Sequence, residues 1–322
     1  MTDRMPLANR VTLMEVSPRD GLQNESTLVS TDDKLTLIHR ALEAGARRLE
    51  VTSFAHPKLM PQMADAEAVC SGLPQRGDVV YTGLVLNQRG YERLLATERL
   101  DEAGLVVPAT DAFALRNQGM DGDACLAMAR RVLRDARQRG LRAQATIAVA
   151  FGCPFEGEVA LSKLLEIAGS LAEEGPVEIA LADTVGVGVP GQVLEAFVAL
   201  RDLLGPDVPL RAHFHDTRNT GLANAFAALQ AGVETLDASI GGIGGCPFAP
   251  NATGNIASED LQYMLGRMGI ETGVDLDALI DTAAWLETVL DKRIPSMLLR
   301  SGGFPAGNEP SGTGATTSGS KP

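Results

Sequence analysis

Short runs of β-branched and apolar residues alternate with longer stretches whose apolar positions recur every three or four residues. A period of two marks a strand and a period near 3.6 marks a helix. The short runs fall at 11–16, 48–53, 79–86, 103–107, 142–149, 177–183, 209–215 and 235–239. Helical stretches separate them at 31–44, 63–71, 90–96, 124–138, 160–174, 191–204 and 220–231. In the first helix Thr31 is placed to cap the start and Gly45 to end the last turn. Strand–helix alternation predicts parallel strands joined by right-handed crossovers. Eight such units predict an α/β protein built as a closed (β/α)8 (TIM) barrel. An open doubly wound sheet is the alternative, but no GxGxxG follows the first strand. Two further helices, 258–268 and 276–290, extend past the eighth strand within one domain over 1–300. From 310 onward the chain is mostly Gly, Ser, Thr and Pro, and 301–322 is expected to be a disordered tail.

Composition narrows the range of partners. The 322 residues carry 28 basic and 41 acidic side chains, a formal charge of −13. Such a surface repels phosphate backbones, so no nucleic-acid partner is expected. It does not exclude small phosphorylated molecules, which a local Arg cluster or a helix N-terminus can hold. The 45% of apolar residues is enough for a sizeable core. No stretch approaches the roughly 20 apolar residues that span a bilayer, and residues 1–10 read as neither a secretory signal nor a transit peptide. The four cysteines, Cys70, Cys125, Cys153 and Cys246, are far apart with no CxxC. That argues for a reduced, cytoplasmic setting.

In a barrel of this kind the active site forms at the C-terminal ends of the strands. The first predicted strand runs into Ser17-Pro18-Arg19-Asp20-Gly21, the second carries Glu50 and ends at Ser53, and the sixth ends in Asp183-Thr184. The seventh ends in His213-Phe214-His215-Asp216, and the eighth leads into Gly241-Gly242-Ile243-Gly244-Gly245-Cys246-Pro247. His213 and His215 are two residues apart on a strand and so point into one volume. A two-His site completed by oxygen ligands suits Mn, Co or Zn, and accepts Mg where substrate adds oxygens. The competing reading is two histidines satisfied by ordinary hydrogen bonds. Asp20 is the natural carboxylate partner, and Arg19 beside it is shaped for a carboxylate, phosphate or enolate oxygen. Taken alone, the two also read as a structural ion pair. Glu50 is placed to bond and orient Arg19, and the position of Asp183 at a strand end favours catalysis. Cys246 sits among four glycines whose freedom suits a loop that swings over a site, so its thiol is a candidate acid or base. Packing under the loop is the alternative for it. Cys70 and Cys125 read as helix packing residues, and Cys153 lies near the site without a defined role.

Together these segments resemble the 3-hydroxy-3-methylglutaryl-CoA lyase family. The likeness rests on Ser17 to Glu25, Glu50-Val51-Thr52-Ser53-Phe54, Asp183-Thr184-Val185-Gly186 and His213 to Thr217. It continues through Ser239 to Phe248, Gly254-Asn255-Ile256-Ala257 and Glu259-Asp260, and so spans roughly 11–290. The resemblance implies that Asp20, His213, His215 and Asn255 hold a divalent metal, Mg or Mn. It implies that Arg19 neutralises an enolate oxygen, Glu50 orients Arg19, Cys246 carries a proton and Asp183 assists. Arg19, Ser53 and Arg218 become the candidate substrate contacts. The implied reaction is retro-aldol (reverse Claisen-type) cleavage of 3-hydroxy-3-methylglutaryl-CoA to acetyl-CoA and acetoacetate, and the implied assembly is a homodimer. Arg218-Asn219-Thr220 stands where Tyr-Gly usually follows the His-Asp-Thr motif, which bears on the acyl group accepted. Ser26 stands where a lysine is common, and no cysteine lies near the C-terminus. A lyase for a related 3-hydroxyacyl-CoA such as citramalyl-CoA, and a noncatalytic binding barrel, are the alternatives.

Overall fold

The computed structural model describes residues 7–245 and 254–304. Eight parallel strands close into a barrel in chain order: β1 (Thr12–Glu15), β2 (Arg48–Ser53), β3 (Val80–Val85), β4 (Glu102–Pro108), β5 (Arg142–Ala148), β6 (Ile179–Asp183), β7 (Leu210–Phe214) and β8 (Thr235–Ala238). β8 returns to pair with β1, Thr12 opposite Thr235, which leaves no open edge. The (β/α)8 barrel expected from the alternation is thus the fold.

The surrounding ring is formed by α1 (Thr31–Glu43), α2 (Ala66–Gly72), α3 (Gln88–Thr97), α4 (Asp111–Gln118), α5 (Gly122–Arg139), α6 (Leu161–Ala172), α7 (Pro190–Leu204) and α8 (Gly221–Gln230). Beyond β8 follow α9 (Ser258–Arg267), α10 (Leu276–Leu290) and α11 (Leu298–Ser301). Helix starts are fixed by side chains that accept from free amides two or three residues on. Ser30, not Thr31, caps α1 by accepting from Asp33 N at 3.1 Å, while Asn87 and Asp121 do the same for α3 and α5. Two helices were not expected. α11 is a single short turn, and α4 crosses the mouth of the barrel after β4. The periodicity of α4 is too weak to announce it, since only Phe113 and Ala114 are buried. The expected tail lies outside the described residues from 305 onward. No helix among the described residues is long and apolar enough to cross a membrane.

Strand residues divide by period. Leu49 and Val51 turn outward into the apolar layer beneath α1, α2 and α10, while Arg48 and Glu50 turn inward. The inward layer is charged to an unusual degree. Arg48 pairs with Glu102 at 2.8 Å and Glu178 at 2.9 Å, and Arg211 pairs with Glu178 at 2.9 Å and with Asp237. Thr82 and Thr235 donate to this network, to Glu102 and Glu178 respectively. Every one of these charges has an opposite charge in contact, the condition under which buried ions are tolerated.

Candidate active site at the strand ends

After β1 the chain makes one wide helical turn, Ser17–Gly21, with Pro18 in its first positions. That turn sets Arg19 and Asp20 side by side over the barrel axis. Arg19 Nη1 donates to Asp20 Oδ1 at 2.5 Å, and its other nitrogens donate to Glu50 on β2. Burial drives Glu50 above the usual carboxylate range, with Arg19 offsetting it only in part.

His213 and His215 come from β7 and the residue just beyond it, and their rings lie 5.2 Å apart. Their Nε2 atoms stand 3.9 and 3.7 Å from Asp20 Oδ2, too long for hydrogen bonds and right for donors converging on one point. One donor atom from each of Asp20, His213 and His215 falls within a 4.8 Å cluster. Burial disfavours the Asp20 carboxylate, but the Arg19 guanidinium and the two imidazoles outweigh it and hold the carboxyl well below its ordinary range. It is therefore ionised, as a ligand must be. A short bridge from His215 brings Asn255 alongside, and Asn255 Nδ2 donates to Asp20 Oδ2 at 2.8 Å. Asn255 Oδ1 is buried without a hydrogen-bond partner, a donor atom that a cation would satisfy. The residues present fit a divalent cation.

One residue of this site was not anticipated. Asp237 on β8 sits 3.0 Å from His213 Nδ1 through Oδ2, the oxygen that also receives Arg211. A carboxylate behind a ligating imidazole fixes its tautomer and orientation, leaving Nε2 free to coordinate. An alternation-based reading assigns Asp237 to the strand interior and gives it no partner. Only the β7–β8 register reveals one. Burial lowers the affinity of His213 for a proton, but the Asp237 bond and the Asp20 charge reverse this, so its pKa is raised.

Three expected contacts stand elsewhere. Asp183 is fully buried, and its two oxygens accept from the amides of Val187 and Gly188, both at 2.9 Å. Thr184, not Asp183, lines the cavity. Ser53 is likewise buried, with Oγ accepting from Ala55 N at 3.3 Å at the turn after β2. Arg218 is exposed and donates to the carbonyls of Val185 and Gly186 at 3.1 and 2.8 Å, latching one loop to another. None of the three is among the residues that line the cavity.

The glycine loop also differs from expectation at its start. A Cβ on Gly244 would lie 2.3 Å from Asn255 Nδ2, and one on Gly241 would lie 2.4 Å from Ile294 Cδ1. Both have positive φ, so these glycines permit close approach rather than free movement. Gly245 lines the cavity and its carbonyl accepts from Asn24 at 2.6 Å. Cys246 and the rest of the loop to 253 lie outside the described residues. Among the other cysteines, Cys70 and Cys125 are buried with thiols pushed up to about 12 and about 11, chiefly by burial. Cys153 is buried beneath Thr110, whose hydroxyl donates to its sulfur at 3.0 Å.

The site opens on a cavity of about 320 Å³ at the C-terminal end of the barrel. Arg19, Asp20, Glu50, His213 and His215 line it together with apolar residues such as Leu84, Val106 and Phe113 and polar ones such as Arg116 and Asn117. An eight-stranded α/β barrel with a His-His-Asp cluster and a buried arginine at its strand ends defines a class of barrel proteins whose strand ends could hold a metal ion. Within that class the HMGL-like family profile matches residues 10–286, and the chain belongs to that family. The hydroxymethylglutaryl-CoA lyase YngG of Bacillus subtilis is 40% identical over 296 residues, covering 92% of this chain and 98% of the relative. A crystal structure of a B. subtilis HMG-CoA lyase superposes with a TM-score of 0.88 at 39% identity, over 92% of this chain and 99% of that one. The (R)-citramalyl-CoA lyase of Chloroflexus aurantiacus is 42% identical over 302 residues, covering 91% and 95%. A Pseudomonas aeruginosa protein, the 3-hydroxy-3-isohexenylglutaryl-CoA/hydroxymethylglutaryl-CoA lyase, is 39% identical over 288 residues, covering 89% and 95%.

Proposed function

We propose that the protein is a carbon–carbon lyase that cleaves 3-hydroxy-3-methylglutaryl-CoA to acetyl-CoA and acetoacetate with the help of a divalent cation. The observation that carries this reading is the opening of the Asp20–His213–His215 cluster onto the same cavity as Arg19. Asp20, His213 and His215, with Asn255, hold the cation, and when bound it supplies Lewis acidity toward the substrate's tertiary hydroxyl. Mg or Mn suits this mixed nitrogen and oxygen set when substrate adds oxygens.

The remaining work belongs to the side chains. The hydroxyl proton passes to a water in the cavity, the bond between the carbinol carbon and the thioester's α-carbon breaks, and the electron pair collects as a thioester enolate. Arg19, fixed between Asp20 and Glu50, presents positive charge to that developing enolate oxygen without having to reorganise. Glu50 sets the direction of the guanidinium. Cys246 returns a proton to the enolate carbon, which yields acetyl-CoA. Asp183 assists proton movement in this scheme, from beneath the turn that its carboxylate holds through the amides of Val187 and Gly188.

A second reading, cleavage of citramalyl-CoA, is favoured by the Chloroflexus relative. It uses the same catalytic groups and differs in the acyl contacts alone. Acetyl-CoA release is to be measured with both thioesters, with protein loaded with Mg or Mn and again after chelation. Metal-dependent release from 3-hydroxy-3-methylglutaryl-CoA is expected. Release from citramalyl-CoA alone transfers the assignment to that substrate, and release from neither with metal bound ends the lyase reading.

A further inference from the structure

Residues opposed in a parallel ladder share one face of the sheet, and Glu15 on β1 stands opposite Leu49. It therefore turns outward with Leu49, and it is not among the residues that line the cavity. Its carboxylate is buried, 4% exposed, and no cation pairs with it among the described residues. Such a group is costly unless donors satisfy it. Three donors do, and each comes from a different part of the chain. Oε1 accepts from Ser17 N at 2.9 Å and from Ile240 N at 3.0 Å, and Oε2 accepts from Ser258 Oγ at 2.6 Å.

Each donor stands at the start of a segment that builds the site. Ser17 opens the turn that carries Arg19 and Asp20. Ile240 opens the short turn Ile240–Gly242, beyond which the carbonyl of Ile243 accepts from Asn255 Nδ2 at 3.0 Å. Ser258 opens α9, three residues after Asn255. The segments also touch one another: Ser258 N donates to Ser239 O at 3.0 Å, and a Cβ on Gly21 would lie 2.7 Å from Ser239 Oγ. We propose that Glu15 is a positioning residue for the oxygen side of the cation site, fixing Asp20 and Asn255 as Asp237 fixes His213. The inference rests on the cation reading of the Asp20–His213–His215 cluster. Ligand atoms must be held within about 0.5 Å of their productive places, which requires that the backbone behind them be fixed. Without Glu15 the buried amides of Ser17 and Ile240 lose their acceptor, and the three segments lose the one group they share.

Glu15→Leu removes both acceptors at nearly constant length. Glu15→Gln keeps an oxygen for the two amides and offers its own amide to Ser258 Oγ. Mn²⁺ is titrated into the metal-free full chain and its variants, well below their unfolding midpoints. Glu15→Leu is expected to weaken Mn²⁺ binding by about 10-fold or more, the scale of losing support behind a metal ligand, and Glu15→Gln to restore most of it. Arg48→Met, which disturbs buried charge away from the site, sets the effect of destabilisation alone. Parent-like affinity in Glu15→Leu, or an equal loss in Arg48→Met, overturns the proposal. So does a Glu15→Gln chain that binds as weakly as Glu15→Leu. Glu15→Asp serves if the leucine variant does not fold: it withdraws the carboxylate by one methylene and should also weaken Mn²⁺, and unchanged affinity overturns the proposal. Hydrogen exchange on the metal-free chain separates this inference from the cation reading. Exchange in the variant is expected to quicken at 17–21, 240–245 and 255–258 together, with β3, β4 and β5 unchanged. That pattern in a chain whose parent binds no Mn²⁺ keeps Glu15 as the positioning residue of these segments and removes the cation reading. Exchange that quickens at one segment alone, or throughout the barrel, overturns the proposal.

Discussion

Two clusters of buried charge share the inside of this barrel, and they are built on opposite principles. In the lower one, Arg48, Glu102, Glu178, Arg211 and Asp237 meet in direct contacts, so each cation sits between two carboxylates. In the upper one, Asp20, His213 and His215 bring their donor atoms near one point while the imidazoles stay beyond hydrogen-bond distance of the carboxylate. The lower cluster is closed on itself, and adding an ion to it would break existing pairs. The upper cluster gains by admitting one. Arg211 and Asp237 join the two, because Asp237 receives both Arg211 and His213. The lower network therefore serves as a rigid base that fixes the direction of His213.

The distinction fails if removing an upper ligand behaves like removing a lower ion. His215→Ala is expected to abolish turnover and bound divalent metal while leaving the unfolding midpoint near that of the parent. Metal analysis and thermal denaturation on one preparation check this, and unchanged metal content would refute the ligand assignment. Next in size is Arg19→Gln, which keeps bulk and loses the charge proposed to face the enolate. Its kcat should fall about 10²–10³-fold, with KM little changed. A raised KM alone would make Arg19 a binding residue.

The lower cluster should answer in stability rather than in metal. Arg48→Met leaves Glu102 with Arg142 and Glu178 with Arg211, so the loss falls at the low end for a broken buried pair, about 3 kcal/mol. Chemical denaturation measures it, and metal affinity should be unchanged. Asp237→Asn tests the joint between the clusters. It should weaken metal binding by about 10- to 100-fold, the usual effect of losing the partner behind a ligating histidine. Equal metal affinity in this variant and the parent would show that His213 needs no such support.

The upper cluster was legible because its signal is local. A strand period of two suffices to place His213 and His215 together, and Arg19-Asp20 directly follows a strand. The lower cluster was not legible, since its pairs join residues 26 to 130 positions apart and only strand register brings them together. Arg48 and Glu102 in isolation look like strand-edge charges. The same limit explains Asp183, Ser53 and Arg218. Each lies at a strand end where chemistry is expected, yet backbone amides or carbonyls of the adjoining loops take up its polar atoms. α4 escaped because its short sequence buries little, although it supplies Phe113 and Arg116 to the cavity.

Glu259 belongs to neither cluster, and it yields the smallest effect and the sharpest contrast. It is a buried carboxylate with no cation beside it among the described residues, and burial pushes its pKa up to about 7. Its oxygens accept from Gly241 N, both at 3.1 Å, and Ser296 adds a further hydrogen bond. The paired carboxylate Glu102 shows the reverse: burial opposes ionisation there too, but Arg48 and Arg142 outweigh it and its pKa is lowered. The sign for Glu259 follows from linkage. A folded-state pKa above the unfolded one means that the folded chain holds the proton more tightly. The resulting stability is fully present below about pH 4.5 and is lost as pH rises through 7. Between pH 5 and pH 7 this amounts to about 2 kcal/mol. Glu259→Gln keeps an acceptor for Gly241 and removes the titration, so that part of the pH dependence should vanish. Urea denaturation of parent and variant at the two pH values isolates it, because any constant cost of the amide cancels in the difference. If the variant loses as much stability over this interval as the parent, Glu259 is already ionised at pH 5 and the fold tolerates an unpaired buried carboxylate.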